Sequence, residues 1–395
     1  NDGTTGNVTN AGNFTNNGTT GNVTNTWVFT NNGTTGNVTN SGTFFNNSGG
    51  STGTVANTGT FTNSYGATTG AVTNSGTFTN GGTTGNVTNN SGGSFTNNAT
   101  GRTGTVANNS GATFDNYGTV STVTNGGTFN NYSTGTTGNV TSSGTFANSG
   151  TTGAFTNTGS LDNSGTVASL TNSGTVTNTG TVTGSTNNTS GTINNDGTMH
   201  VVTNGGTFNN NATGTTGNFT NTGTLNNAGV VAGLTNSGTA NNSGTTGDWT
   251  NSGIIANTGT MGNGTNDTGA SFTNDSTVGS VANAGTFANN SGATAGAFDN
   301  SGSLTNSGTL ASLTNTGTAD NSGTVSGIVT NTSGTLTNSG TTGDWTNAGT
   351  INNSGTMGNG TNDGTMTNGG TVGSVTNTGT MDNNGGTTGD RKSVV

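Results

Sequence analysis

A repeat of 15 residues runs through the chain and constrains its fold more than any other feature. In register, the sequence reads GTTGNVTNAGNFTNN from residue 3, GTTGNVTNTWVFTNN from residue 18 and GTTGNVTNSGTFFNN from residue 33. Later units, such as GTVASLTNSGTVTNT from residue 165, keep the spacing, and other units have 17 residues. A repeat of this size indicates one small structural unit that must stack on its neighbours to bury a core.

We number the positions of each unit from its first Gly. Position 12 is mostly large and apolar, position 6 is Val in most early units, and position 3 is Thr or Val. The resulting spacing of apolar residues fits neither a continuous helix nor a long alternating strand, and the abundance of Gly, Asn, Thr and Ser disfavours a helix. Position 12 holds Phe14, Phe29, Phe44, Phe61, Phe78, Phe95, Phe114, Phe129, Phe146, Leu161, Val176, Ile193, Phe208 and Leu225.

Asn at positions 8 and 14 is followed within two residues by Gly, which is a turn signal. The two-residue insertions fall at the same places, for example at residues 89–93 and 188–191. We therefore predict an all-β fold, a single-stranded parallel β-solenoid (β-helix) of about 24 coils of 15–17 residues. Its handedness stays open. Like positions would stack about 4.8 Å apart, with Phe, Val and Thr columns inside and Asn amide ladders at the corners.

Two tryptophans test this inward assignment. Trp249 occupies position 6, and the next unit has Gly264 at that position and Met261 at position 3. A buried indole needs a small residue in the adjacent layer, and Met can fill the remaining space. The same arrangement recurs 96 residues later at Trp345 and Gly360. The pattern predicts that both indoles point into the core.

The domain organisation follows from the extent of the repeat. We predict one continuous array over residues 1–389 and a non-native tail over residues 390–395. The tail, DRKSVV, breaks the repeat and resembles a translated sequencing adapter. We therefore expect an uncapped fragment of a longer array, whose exposed strand edges favour end-to-end self-association.

The composition excludes several classes of partner. Hydrophobic residues make up 23% and charged residues 4% of the chain, with a net charge of −10 and three basic residues. Nucleic-acid binding requires clustered basic side chains, so no nucleic-acid partner is expected. No apolar run approaches the length of a membrane span. The absence of Cys excludes disulfides and Cys-ligated zinc.

No catalytic, cofactor-binding or metal site is predicted. His200 is the only histidine and lies at the outward position 4. Asp115, Asp162, Asp320 and Asp382 lie at position 13, in units that do not follow one another, so a catalytic carboxylate pair is not expected. A polysaccharide-degrading β-helix enzyme would need clustered Asp with Arg or Lys. The sequence thus predicts that the chain is not an enzyme and takes no cofactor.

Thr recurs at positions 2, 7 and 11. Flat Thr arrays on β-solenoids resemble the ice-binding faces of insect and grass antifreeze proteins. Thr60-Phe61-Thr62 and Thr77-Phe78-Thr79 fit that resemblance, whereas position 13 later becomes Asn, Ala or Asp. Because Thr is also a good strand residue, ice binding is the alternative hypothesis rather than the first.

The pattern N-x-G-T-φ-x-N, as at residues 172–178, resembles the degenerate repeats of bacterial surface adhesins. These include autotransporter passengers and haemagglutinin-like secreted proteins. The resemblance covers residues 1–389, although the coil here is shorter than the turn typical of those families. It implies secretion, an extracellular or cell-surface location, and a structural or adhesive rod that acts as a stalk. The implied partner is an unknown host or cell-surface ligand, a glycan or a protein.

Overall fold

A computed structural model describes residues 1–393 of the chain. Within that range the regular structure consists of parallel strands, without a helix. The chain divides into two compact units, Asn1–His200 and Val201–Val395. Each unit is a parallel β-solenoid, and the two together contain about 26 turns. The predicted fold class is confirmed, with slightly more turns than the 24 that we expected.

Each coil contributes residues to two sheets. Sheet A takes positions 2–8, either as two short strands or as one continuous strand, and sheet B takes positions 11–14. Val23 pairs in parallel with Val8 and with Val38, one coil away on either side. Phe29 pairs in the same way with Phe14 and Phe44. Like positions therefore lie side by side, and every position becomes a column.

The strands of the first unit alternate between the two sheets. Sheet A contains Thr4–Thr5, Val8–Asn10, Thr19–Thr20, Val23–Asn25, Thr34–Thr35, Val38–Asn40, Ser51–Thr52, Val55–Asn57, Thr68–Thr69, Val72–Asn74, Thr83–Thr84, Val87–Asn89, Arg102–Asn108, Thr119–Asn125, Thr136–Thr137, Val140–Ser142, Thr151–Asn157, Thr166–Asn172 and Thr181–Asn188. Sheet B contains Asn13–Asn16, Val28–Asn31, Thr43–Asn46, Thr60–Asn63, Thr77–Asn80, Ser94–Asn97, Thr113–Asn116, Thr128–Asn131, Thr145–Asn148, Ser160–Asn163, Thr175–Asn178 and Thr192–Asn195. The strand Thr198–Asn204 contains the boundary between the units.

The second unit has the same alternation. Sheet A contains Thr215–Asn221, Val230–Asn236, Thr245–Asn251, Thr260–Met261, Gly264–Asn266, Thr277–Val278, Val281–Asn283, Thr294–Asn300, Thr309–Asn315, Thr324–Val325, Val329–Asn331, Thr341–Thr342, Trp345–Asn347, Thr356–Met357, Gly360–Asn362, Thr371–Val372, Val375–Asn377, Thr387–Thr388 and Arg391–Ser393. Sheet B contains Thr207–Asn210, Thr224–Asn227, Thr239–Asn242, Ile254–Asn257, Ser271–Asn274, Thr286–Asn289, Ser303–Asn306, Thr318–Asn321, Thr335–Asn338, Thr350–Asn353, Thr365–Asn368 and Thr380–Asp382.

Part of the predicted tail, residues 391–393, forms a strand. The backbone of Arg391–Ser393 pairs with that of Val375–Asn377 and so extends sheet A beyond residue 389. Residues 394 and 395, which belong to the predicted tail, lie outside the described residues. The non-native origin of the tail stays a prediction.

A column of phenylalanine rings forms the core of the first unit. The rings at position 12 stack from Phe14 to Phe146, with centroids 4.6–5.6 Å apart. Every ring from Phe29 to Phe146 is fully buried, and the position 6 valines from Val23 to Val140 lie in sheet A with 0–2% exposure. Burying one such ring contributes about 1.5–3 kcal/mol relative to leaving it exposed. The predicted inward columns are confirmed.

Asparagine ladders line both long corners of each unit, as predicted. At position 8, the Asn25 amide Nδ2 donates to Asn40 Oδ1 at 2.7 Å and to the Thr43 carbonyl at 2.9 Å. At position 14, Asn63 Nδ2 donates to Asn80 Oδ1 at 2.8 Å. Because these amides are almost fully buried, each must use both its donor and its acceptor within the protein. The ladder hydrogen bonds satisfy that requirement at these positions and fix the register of successive coils.

The inserted residues lie at the corners, as the sequence indicates. In the turn Asn47–Gly50, the Gly50 amide donates to the Asn47 carbonyl at 2.8 Å. Gly49 has a φ of 83°, in the left-handed region that favours glycine. Corner turns of this kind lengthen a coil without shifting the strands on either side.

Both tryptophans are buried against glycine, as predicted. Trp249 is 3% exposed, pairs with Gly264 and donates from Nε1 to the Gly262 carbonyl at 3.0 Å. A Cβ added at Gly264 would overlap Cδ2 and Cε2 of the indole. Met261 is 2% exposed in the same layer. Trp345 repeats this arrangement in its own coils, where it is 2% exposed.

Candidate functional site

The outward residues of sheet A form two threonine columns. Positions 2 and 7 both carry Thr in several consecutive coils, and these side chains are exposed or half-buried. In the first unit such a run comprises Thr119 with Thr124, Thr136 with Thr141, Thr151 with Thr156, and Thr166 with Thr171. In the second unit it comprises Thr309 with Thr314, Thr324 with Thr330, Thr341 with Thr346, Thr356 with Thr361, and Thr371 with Thr376.

These columns are interrupted earlier in the first unit. Arg102 occupies position 2, and Ala56 and Ala107 occupy position 7. On sheet B, Thr60 pairs with Thr77 and Thr62 with Thr79, so that two Thr columns run together over those coils. The position 13 column, which contains Thr62 and Thr79, is interrupted at the preceding coil, where Phe45 pairs with Thr62. The surface therefore offers short two-column Thr arrays rather than one unbroken face.

The acidic residues of position 13 stay apart from one another. Asp162 pairs with Ala147 and Thr177 on the neighbouring coils. Asp320 pairs with Thr305 and Thr337 in the same way. Asp162, Asp320 and Asp382 are exposed, whereas Asp115 is half-buried and accepts a hydrogen bond from Asn130 Nδ2 at 2.7 Å.

His200 lies on an exposed position of the strand Thr198–Asn204. Among the residues that the structure describes, no group of three or more His, Cys, Asp or Glu side chains converges in a way that could hold a metal ion. The expectation that the chain is not an enzyme stays a prediction.

Solvent-open grooves lie on the outer faces of the second unit. One of about 560 Å³ lies on sheet A beside Gly233, where the column of position 5 side chains has a gap. Another of about 370 Å³ lies on sheet B beside three outward asparagines. There, Asn226 Nδ2 donates to Asn209 Oδ1 and Asn241 Nδ2 donates to Asn226 Oδ1, both at 2.9 Å. Polar amides and small side chains dominate the lining of this second groove.

A stacked pair of tyrosines is a surface feature that the sequence analysis missed. Tyr117 and Tyr132 directly follow the paired residues Asn116 and Asn131 on adjacent coils. Their ring centroids are 4.2 Å apart, with an interplanar angle of 2°. A side-chain hydrogen bond with Tyr117, then the negative charge of Asp115 and partial burial, raise the pKa of Tyr132. The sequence could have predicted this stack, because both tyrosines occupy position 15 of successive 15–17-residue repeats.

The geometry defines a repeat protein of the parallel β-solenoid class, whose outward residues are mostly polar. No protein-family model matches the chain, and no curated protein matches it either. Within the described residues, no helix is long and apolar enough to cross a membrane.

Proposed function

We propose that the chain is the structural or adhesive rod of a microbial cell-surface adhesin. In this proposal it is secreted, lies outside the cell and acts as a stalk without catalytic activity. The observation that carries the proposal is the like-on-like stacking within each unit. Side chains of one position repeat from coil to coil in the Phe column and in both Asn ladders.

The stacking of equivalent coils is compatible with a spacer whose length depends on the number of coils. Backbone hydrogen bonds and Asn ladders both run from coil to coil, so each added coil extends a unit by about 4.8 Å. Stability comes from the sum of neighbour contacts, and a unit of this kind tolerates changes in the number of coils. Reach can therefore be adjusted by adding or removing coils while the cross-section stays the same.

The outer surface supports the same proposal. Charged residues make up 4% of the chain, and the outward positions are mostly Thr, Asn and Ser. Such a polar surface of low charge density lacks the clustered charges that recognise nucleic acids or other highly charged partners. Adhesion through this surface would rest on many weak contacts repeated along the rod.

The spacer role is tested by removing whole coils. Deletion of residues 83–150 joins Gly82 to Thr151 and keeps every column in register, because Thr151 is equivalent to Thr83, the residue that follows Gly82 in the unaltered chain. The chain, displayed on a bacterial surface with a terminal biotin-acceptor peptide, should capture streptavidin beads through a dense polymer layer. The deletion should reduce that capture. A chain of the same composition in scrambled order is the control, and equal capture by all three proteins would refute the spacer role.

A separate measurement distinguishes a spacer from an adhesive surface. Without the biotin-acceptor peptide, a pure spacer should leave the displaying cells unable to bind glycan-coated or protein-coated beads. Binding that falls when the Thr columns are replaced by Ser would assign the adhesion to the outer faces themselves.

Ice binding is the second candidate, and the two-column Thr runs of sheet A favour it. It requires thermal hysteresis by the intact protein. Replacing Thr136, Thr151 and Thr166 by Lys, together with Thr324, Thr341 and Thr356 of the second-unit run, should abolish this hysteresis without loss of the fold. The same substitution at Thr113, Thr128 and Thr145 on sheet B, where position 13 carries Asp, Asn and Ala, gives a control outside any two-column run. Absence of hysteresis in the unaltered protein would exclude ice binding.

A further inference from the structure

Tyr117 and Tyr132 form an ordered pair of phenols on the surface of the first unit. Their rings are nearly parallel, with centroids 4.2 Å apart. The side chains are 36% and 37% exposed, so a reagent in solution can reach both of them. Backbone pairing of Asn116 with Asn131 holds the two rings in register.

The surroundings of Tyr132 favour its neutral, protonated form. The hydrogen bond with Tyr117, the Asp115 charge and partial burial raise the pKa of Tyr132 above the ordinary value of 10.0. A tyrosine phenol is neutral at pH 7 in any case, and the raised pKa of Tyr132 extends its neutral form to higher pH. Asp115 is itself held in place by the hydrogen bond from Asn130.

We propose that Tyr117 and Tyr132 are an oxidative cross-linking site, at which a haem peroxidase using hydrogen peroxide forms an intramolecular dityrosine. Each phenol loses one electron and one proton to give a phenoxyl radical. The two radicals join through a carbon–carbon bond between ring carbons ortho to the oxygens. The hydrogens on those carbons then move to the oxygens and restore both hydroxyls. The pair loses two hydrogen atoms in total, and one hydrogen peroxide is reduced to two waters.

The position of the pair gives this bond a structural consequence. The chain has no Cys, so it cannot join its coils by disulfides. A Tyr117–Tyr132 bond would close a loop around one complete coil and prevent the two coils from separating. Cross-links of this kind stabilise a fold mainly by restricting the unfolded chain.

The third tyrosine of the chain provides an internal control. Tyr65 is 72% exposed and makes no ring contact within the described residues. It is thus more accessible than the pair but lacks a stacked partner. Accessibility alone would favour reaction at Tyr65, whereas proximity favours the pair, because a held partner has a high effective concentration.

The experiment treats the dilute full-length protein with a haem peroxidase and hydrogen peroxide. Dityrosine fluorescence and mass spectrometry of proteolytic peptides are the measurements. The unaltered protein and Tyr65→Phe should give monomers with a Tyr117–Tyr132 peptide that is lighter by two hydrogens. Tyr117→Phe and Tyr132→Phe keep a stacked aromatic ring and should reduce dityrosine in the monomer by at least about tenfold. Circular dichroism checks that both variants keep the β-fold.

Two outcomes would overturn the proposal. One is undiminished dityrosine in the Tyr132→Phe monomer, which would assign the reaction to Tyr65. The other is that dilute unaltered protein yields only cross-linked dimers, which would show that the stacked pair has no advantage over collisions between chains. The test does not depend on the adhesin role, since it requires only the tyrosine geometry.

Discussion

Some buried threonines place hydroxyl groups in the core that have no hydrogen-bond partner. At position 3, the inward hydroxyls of Thr137 and Thr152 have no hydrogen-bond partner. In another coil the position 3 hydroxyl does have a partner, since Thr84 Oγ1 donates a hydrogen bond to Asn80 Oδ1 at 2.8 Å. A buried hydroxyl without a partner costs about 1–3 kcal/mol. Residues at equivalent positions therefore differ in their contribution to stability.

Replacing Thr152 by Val should stabilise the protein by about 1 kcal/mol, because it removes an unpaired buried hydroxyl and keeps the side-chain shape. Val167 already occupies the equivalent place in the next coil and is fully buried. Urea unfolding of the first unit is the measurement. Thr84→Val is the control and should destabilise, since it removes the hydrogen bond to Asn80. Equal effects of the two substitutions would contradict this account.

The Asn ladders are the elements that join one coil to the next, and one of them contains a gap. Asn125 Nδ2 donates to Ser142 Oγ at 3.0 Å, but the shorter serine does not reach the following coil. Asn157 Oδ1 consequently has no partner, although Asn157 continues the ladder by donating to Asn172 Oδ1 at 2.8 Å. The ladder is therefore locally incomplete at Ser142.

Replacing Ser142 by Asn should close this gap and raise the free energy of unfolding by about 1–2 kcal/mol, because a buried acceptor gains a donor. Ser142 pairs with Asn125 and Asn157, so an asparagine there has the same neighbours as at other ladder positions. Asn74→Ser makes the reverse change and should destabilise by a similar amount. Calorimetry of both variants tests the pair. A stabilising Asn74→Ser would be incompatible with the ladder interpretation.

Complementary packing between coils predicts a compensating pair of substitutions. Gly264→Val should destabilise by about 3 kcal/mol, because the new side chain overlaps the indole of Trp249. Adding Trp249→Val should recover much of this loss, since Val faces Val at position 6 in other coils, such as Val72 and Val87. A double-mutant cycle measures the coupling. Additive effects would show that the two sites do not contact each other.

At the scale of the whole molecule, stability is distributed over many small interfaces. Each coil contacts the coils before and after it within its unit, as the pairings of Phe78 with Phe61 and Phe95 show. Stability in such a chain is close to a sum of coil and neighbour terms. Damage to one coil should therefore spread over few coils rather than unfold the whole chain.

Phe78→Asp tests this locality. The buried charge should cost several kcal/mol, and deuterium uptake should rise in Thr60–Asn63, Thr77–Asn80 and Ser94–Asn97 while the second unit keeps its protection. Phe78→Leu is the control, because Leu161 occupies the same position in another coil, and its cost should be near 1 kcal/mol. Unchanged uptake in Phe78→Asp would mean that position 12 does not face the core. A uniform rise over both units would contradict the locality.

The sequence by itself determined the class of fold, the inward columns, the corner ladders and the Trp–Gly pairs. It could do so because a strict repeat places equivalent residues of neighbouring coils next to each other. The apolar pattern of one repeat therefore sets the register of all the coils. Only the tertiary structure decided which individual groups find partners. Examples are the stacked Tyr117 and Tyr132, the gap at Ser142, and Asn7 Oδ1, which accepts a hydrogen bond from the backbone N–H of Asn22 at 2.9 Å. These contacts depend on the side-chain conformations and lengths of two neighbouring coils, which a periodic pattern does not specify.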